Sequence, residues 1–193
     1  TDAEVRIPSY SCAALLNAVE RCGFRPGIVD VEESTLGLAA GRGPAIGANM
    51  LAIPCGAAVP SGETVLEDCA MGFVPGHTPR AGRDVLLSFY ATKMLTTGQG
   101  AALLTDSDER AALWCDRLTY DNRETHLTVT NRSMTAIQAA IGRVQLSRYS
   151  EFLERRRVLL ELLLRRHEGH GRRGQGLRRQ DEREVPLVLE GQG

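Results

Sequence analysis

Lysine is almost missing from this chain. Of 23 cationic residues, Lys93 alone is lysine and the rest are arginine. Long apolar runs are missing too. The longest stretch near the end, "VLLELLL" at 158 to 164, is far too short to span a bilayer. Net charge is −1, which excludes a global field for nucleic acid or acidic lipid. The five cysteines are scattered and odd in number, and form no C-x-x-C pair. They exclude a zinc ribbon and read as reduced, buried thiols rather than a disulfide frame. No charged-then-apolar signal segment opens the sequence, so a soluble cytoplasmic protein is expected.

What is present suits one domain with a tail. The 193 residues are 42% hydrophobic, enough for a packed core and too many for a disordered chain. "EVRIPSY" reads as a strand with a proline stop. "SCAALLNAVERCGF" reads as a helix with Ser11 as cap and Gly23 as terminator. "PGIVDVE" reads as a buried strand, completing a βαβ unit and a parallel sheet. Residues 36 to 48 are Gly/Ala-rich and read as a loop. "NMLAIPC" (49 to 55) and "ETVLEDCA" (63 to 70) read as strands, with too little chain between them for the usual helical crossover. "DVLLSFY" and "GAALLT" read as two more strands joined by a hairpin-like excursion that carries Lys93. Residues 107 to 118 form a helix capped by Ser107. Residues 134 to 166 form two helices broken near Ser147 to Ser150. This partition is 1–150 for the main domain, 151–167 for a C-terminal helix and 168–193 for a polar, mobile tail rich in Gly, Arg and Glu.

A lone lysine among arginines has two readings. Arginine-biased coding leaves a stray lysine by chance. Alternatively, the position needs what arginine cannot supply, an amine able to lose its proton near neutral pH and act as a nucleophile. Pyridoxal phosphate is the cofactor that makes most use of such an amine. It also needs a carboxylate beside its ring nitrogen and hydroxyl or backbone donors for its phosphate. Asp68 ends the run "TVLED", at the strand edge where open α/β sheets place ligands. Ser88 ends a strand five residues before Lys93, and "TTGQG" follows the lysine as a hydroxyl- and glycine-rich turn. Each part alone has a plain structural reading, as an ion pair, a cap or a turn residue.

"VLEDCA", "SFYATKMLTTGQGAALLT" and "NRSMTAIQAAIGRVQLSR" together resemble the DegT/DnrJ/EryC1/StrS family of pyridoxal-phosphate-dependent sugar aminotransferases. The likeness runs with gaps from about residue 4 to about residue 160. It implies a fold-type I transferase large-domain core, a mixed and mostly parallel sheet with flanking helices. It implies that Lys93 is the Schiff-base lysine, that Asp68 holds the ring nitrogen protonated and that Ser88 binds the cofactor phosphate. It also implies that Asn131 reaches the phosphate in a neighbouring subunit, so a homodimer or a pairing with a full-length relative is expected. Cys12 falls where an aromatic often stacks on the ring. Amino-acid and nucleotide-sugar substrates follow from the same resemblance, as do a cytoplasmic location and a transaminase activity.

The chain also departs from that pattern. Met71 stands where Gln or His is usual, three residues after the aspartate. Gln99 and Ala101 alter the glycine-rich turn, and Ala136 replaces an acidic residue in "MTAIQ". Family members are about twice this length. The expected N-terminal phosphate-binding loop and C-terminal small domain are not in the sequence. A catalytically inactive relative, acting as a cofactor-binding or dimerising module, therefore stands beside the enzyme reading. Ten arginines between 155 and 183 are interspersed with acids and lack aromatics, which reads as a solvated surface and not a nucleic-acid site. His167 and His170 lack partners for a metal, so no metal site is expected. Leu113 and Trp114 read as core. The leucines of 159 to 164 read as packed onto the domain or a partner.

Overall fold

The computed structural model describes residues 2–48, 66–72, 84–121, 124, 129 and 131–171, the last four by backbone alone. The chain divides into two units, Thr1–Tyr149 and Ser150–Gly193. In the first, β1 (Glu4–Pro8), α1 (Ala13–Arg21) and β2 (Arg25–Val29) form the expected βαβ unit, with β1 and β2 parallel and Ile7 opposite Ile28. Ile7 packs with Leu15 and Val19 of α1, residues four apart on one helix face. Gly23 takes φ 76°, and the N–H groups of Gly23 and Phe24 return to the carbonyls of Glu20 and Val19, closing α1.

Two local expectations fail here. Ser11 does not cap α1. Its Oγ donates to the Pro8 carbonyl at 2.7 Å, and Cys12 occupies the cap position without a side-chain bond. β2 is not buried on both faces: Ile28 is 65% exposed, as an edge strand permits.

The Gly/Ala-rich stretch is not all loop. It ends in β3 (Ile46–Ala48), which pairs in parallel with β4 (Leu66–Asp68) and is tied to β1 by a parallel bridge between Arg6 and Ala45. Its pairing comes from neighbours on both sides, not from its own weak pattern. β5 (Asp84–Ser88) lies parallel to β4, and β6 (Ala101–Leu104) returns antiparallel beside β5. The strands form a two-stranded parallel sheet, β1-β2, and a four-stranded mixed sheet, β3-β4-β5-β6, which the Arg6–Ala45 bridge sets side by side. Val85 and Leu87 of β5 form a second buried cluster with Cys69, flanked by Phe89, Ala102 and Leu104.

α2 (Asp108–Leu118) begins at Ser107, whose Oγ accepts the Arg110 N–H. Arg110 pins this helix to the sheet: its Nε donates to buried Asp84 at 2.9 Å and its Nη2 to Asp106 at 2.6 Å. Leu113, read as core, is 53% exposed, because α2 turns no residue fully inward. α3 (Ala136–Ser147) and α4 (Tyr149–Gly171) part at Arg148, within the expected break. α4 continues four residues past His167. Its leucines 159, 160, 162, 163 and 164 are exposed, the stripe expected if they pack against a partner.

The cysteines also differ from expectation. Cys12, Cys22 and Cys115 are free but exposed, while buried Cys69 is disulfide-bonded. The strand expected at 49–55, its short connection and the tail from 172 onward lie outside the described residues. No helix among the described residues is long and apolar enough to cross a membrane.

Candidate active site

Parallel pairing puts the carboxyl ends of β1, β3, β4 and β5 on one edge of the array. Asp68 ends β4 there, opposite Leu86 of β5, and Ser88 ends β5 two residues further on. After Asp68 the chain turns at once. Cys69 N–H still donates to Leu86 of β5, Ala70 N–H donates to Asp68 Oδ1 at 2.9 Å, and Gly72 N–H returns to Cys69. This Asx-type turn fixes one carboxylate oxygen and leaves the other without a protein donor among the described residues. Glu67, one residue earlier, is buried, with 1% exposure. The "LED" run did not mark it out, because both acids look alike at a strand end.

The excursion between β5 and β6 is a tightly bonded hairpin. Phe89 N–H donates to Gly100, and the Phe89 carbonyl accepts from Thr97 N–H at 3.0 Å and Thr96 Oγ at 3.3 Å. Lys93 N–H donates to the Tyr90 carbonyl, and Thr97 Oγ donates to the Gln99 carbonyl at 2.6 Å. Gly98 lies at φ 80°, a conformation costly for any side chain. α3 backs this hairpin. A Cβ on Gly142 would stand 3.0 Å from Thr97 Cγ2, and one on Gly100 would stand 2.6 Å from Met134 Cε. Buried Tyr149 reaches Met94 with its hydroxyl at 3.7 Å from Sδ.

These supports place the Lys93 side chain, half-buried, beside the Asp68 turn. Its Nζ donates to Met71 Sδ at 3.0 Å. Burial raises the Asp68 pKa above its ordinary 3.8, while the Ala70 N–H and the Lys93 charge act the other way. Lys93 and Asp68 are thus neighbours, yet no ion pair joins them among the described residues. Ser88 shares the edge. Its Oγ accepts Tyr90 N–H at 3.3 Å, so its own proton can still be donated. Asn131 is exposed, and its Oδ1 accepts from Ser133 N–H; no contact joins it to the other three. Cys12 is exposed at the start of α1.

The sequence reading missed two things. The sequence marks Met71 as a departure from the family pattern, not as the partner of Lys93; no local signal links residues 22 apart. In "MTAIQ", Thr135 and Gln138 form a reciprocal capping box for α3, so that part of the motif is explained by helix capping.

A sequence profile of the DegT/DnrJ/EryC1/StrS aminotransferase family matches residues 58–182. The chain belongs to this family. It is 31% identical over 179 residues to the GDP-perosamine synthase of Caulobacter vibrioides, covering 79% of this chain and 48% of that one. Among solved structures, a Bacillus cereus protein assigned as a PLP-dependent aminotransferase superposes with TM-score 0.72 at 19% identity, covering 93% of this chain and 56% of that one. A GDP-4-keto-6-deoxymannose-3-dehydratase holding GDP-perosamine superposes with TM-score 0.69 at 18% identity, covering 87% of this chain and 54% of that one. The fold is therefore that of the fold-type I transferases, and the chain spans about half the length of these relatives.

The site's chemistry fits pyridoxal phosphate. A buried carboxylate is penalised by desolvation, and a protonated ring nitrogen is the kind of cation that relieves it. An amine resting on a neutral sulfur is not committed to a strong acceptor. Ser88 retains a hydroxyl donor for an anion on the same edge.

Proposed function

We propose that this chain is a pyridoxal-phosphate-dependent aminotransferase that moves an amino group from an amino-acid donor to a keto-sugar nucleotide. One observation carries the reading: at the carboxyl edge of the sheet Lys93 Nζ rests on Met71, in the turn that follows Asp68, and its charge acts on the Asp68 carboxyl. The cofactor, when bound, supplies the aldehyde that takes up the amino group and a ring that withdraws electrons. Lys93 Nζ would hold it covalently and, when free, would be the base that takes a proton from the substrate carbon and the acid that gives it back. Asp68, fixed by the Ala70 N–H, keeps a proton on the ring nitrogen throughout. Ser88 donates to the phosphate, and Asn131 serves the phosphate of a second subunit.

The test adds pyridoxal phosphate to the purified chain, reduces with borohydride and maps the peptides. A visible absorbance band with the adduct on Lys93 supports the reading. No band, or an adduct only at the N-terminal amine, sinks it.

A second reading is favoured by α3. Ile137, Ile141 and Val144, at helical spacing, are 75%, 45% and 59% exposed. In that reading the chain is a catalytically inactive module that pairs with its own copy or with a full-length relative. Under both readings we take residues 1–150 as the piece of the transferase large domain. A dimer follows under both, and transfer of an amino group to a keto-sugar nucleotide, which an inactive module does not perform, separates them. The proposed substrates are multiply charged and do not diffuse through lipid, which favours a cytoplasmic site of action.

A further inference from the structure

The end of β4 and the turn after it carry two groups toward the Lys93 amine: the Met71 thioether, 3.0 Å from Nζ, and the Asp68 carboxylate, near enough to feel its charge. The carboxylate is the stronger partner for an amine by charge, yet Nζ of Lys93 rests on the sulfur. If Lys93 closed onto Asp68, the acid would be lost to the ring nitrogen and the amine to the aldehyde. The two groups serve opposite ends of one ring and must stay apart before it arrives. Sulfur suits that purpose because it is a weak acceptor, strong enough to orient an amine and weak enough to release it.

We infer that Met71 is a positioning residue that holds the Lys93 amine apart from Asp68 and ready for an incoming aldehyde. The inference rests on the proposed function for its purpose, but its physical content is testable without the cofactor. Lys93 is the single lysine, so an acylating reagent reads its amine directly, with the N-terminal amine as internal reference.

The experiment treats the cofactor-free chain with acetic anhydride and follows both amines by peptide mapping. In Met71→Leu, of similar volume but without an acceptor, Lys93 pairs with Asp68 and its acetylation slows about fivefold relative to the N-terminus. Met71→Gln, which restores an acceptor, keeps the rate close to the wild type. Adding Asp68→Asn to Met71→Leu restores the rate, which repacking alone would not do. Circular dichroism checks that each variant is folded, and the Gln variant carries the test if the Leu variant is not. An unchanged rate in Met71→Leu, or no recovery in the double variant, overturns the inference. So does a Gln variant as slow as the Leu variant. Repeating the series with pyridoxal phosphate separates the two ideas. A wild type that acetylates as expected but forms no pyridoxal adduct defeats the proposed function and leaves the role of Met71 in place.

Discussion

Lys93→Arg keeps the charge of the hairpin but removes the only side-chain amine, so the borohydride-trapped adduct disappears while the melting temperature stays close to the wild type. Asp68→Asn has two opposed effects. Cofactor retention falls by about 30-fold or more, as expected when one partner of a buried charge pair is removed. Stability moves the other way. Burial raises the Asp68 pKa, so from its ordinary 3.8 upward the folded chain keeps a proton that the unfolded chain has lost. Stability contributed by this group therefore falls as pH rises through that window, and the charged carboxylate remains a burden above it. Thermal melts of the cofactor-free Asn variant should exceed wild type near neutral pH and converge with it below 3.8. Ser88→Ala should weaken pyridoxal phosphate about tenfold, one hydrogen bond to a charged group, and leave unphosphorylated pyridoxal unaffected. Equilibrium titration with both ligands reads that difference.

At the scale of elements, the hairpin that carries Lys93 depends on α3 behind it. Thr135→Ala breaks the capping box and should cost about 1 kcal/mol in denaturant unfolding. Gly100→Ala is more specific. Gly100 has φ 153°, and a new Cβ would meet Met134 Cε at 2.6 Å and Thr97 Oγ at 2.8 Å. The hairpin must shift, at a cost of about 1 to 3 kcal/mol. Adduct formation on Lys93 should slow in Gly100→Ala beyond what its stability loss explains, because the moved segment carries the amine. In Thr135→Ala the rate should follow stability alone. Stopped-flow absorbance beside urea melts distinguishes the two.

At the scale of the molecule, the exposed face of α3 predicts association. Sedimentation velocity should show a concentration-dependent dimer. Replacing both Ile137 and Ile141 by Glu should weaken it at least tenfold, given roughly 1.5 kcal/mol or more per buried isoleucine. Both side chains are exposed in the single chain, so its melting temperature should hardly change. A dimer indifferent to both substitutions would place the contact elsewhere.

The sequence by itself determined the βαβ opening, β4, β5, β6, α2 and the α3/α4 break, because each carries its own period or terminator. It also pointed to the strand ends that carry Asp68 and Ser88 and to the excursion that carries Lys93, since these are local features. Tertiary structure decided the rest. β3 exists because β4 and the Arg6–Ala45 bridge pair with a stretch that has no strand pattern of its own. Ser11 turned to Pro8, and Leu113 faced outward, since neither choice is set by the residue's type. The rest of Lys93 on Met71 belongs to the same class. Spacing along the chain placed both groups near a sheet edge, but only the turn after Asp68 and the hairpin after Ser88 bring sulfur and amine to 3.0 Å. Contacts of that kind depend on how two separate loops meet, and that is a property of the packed sheet.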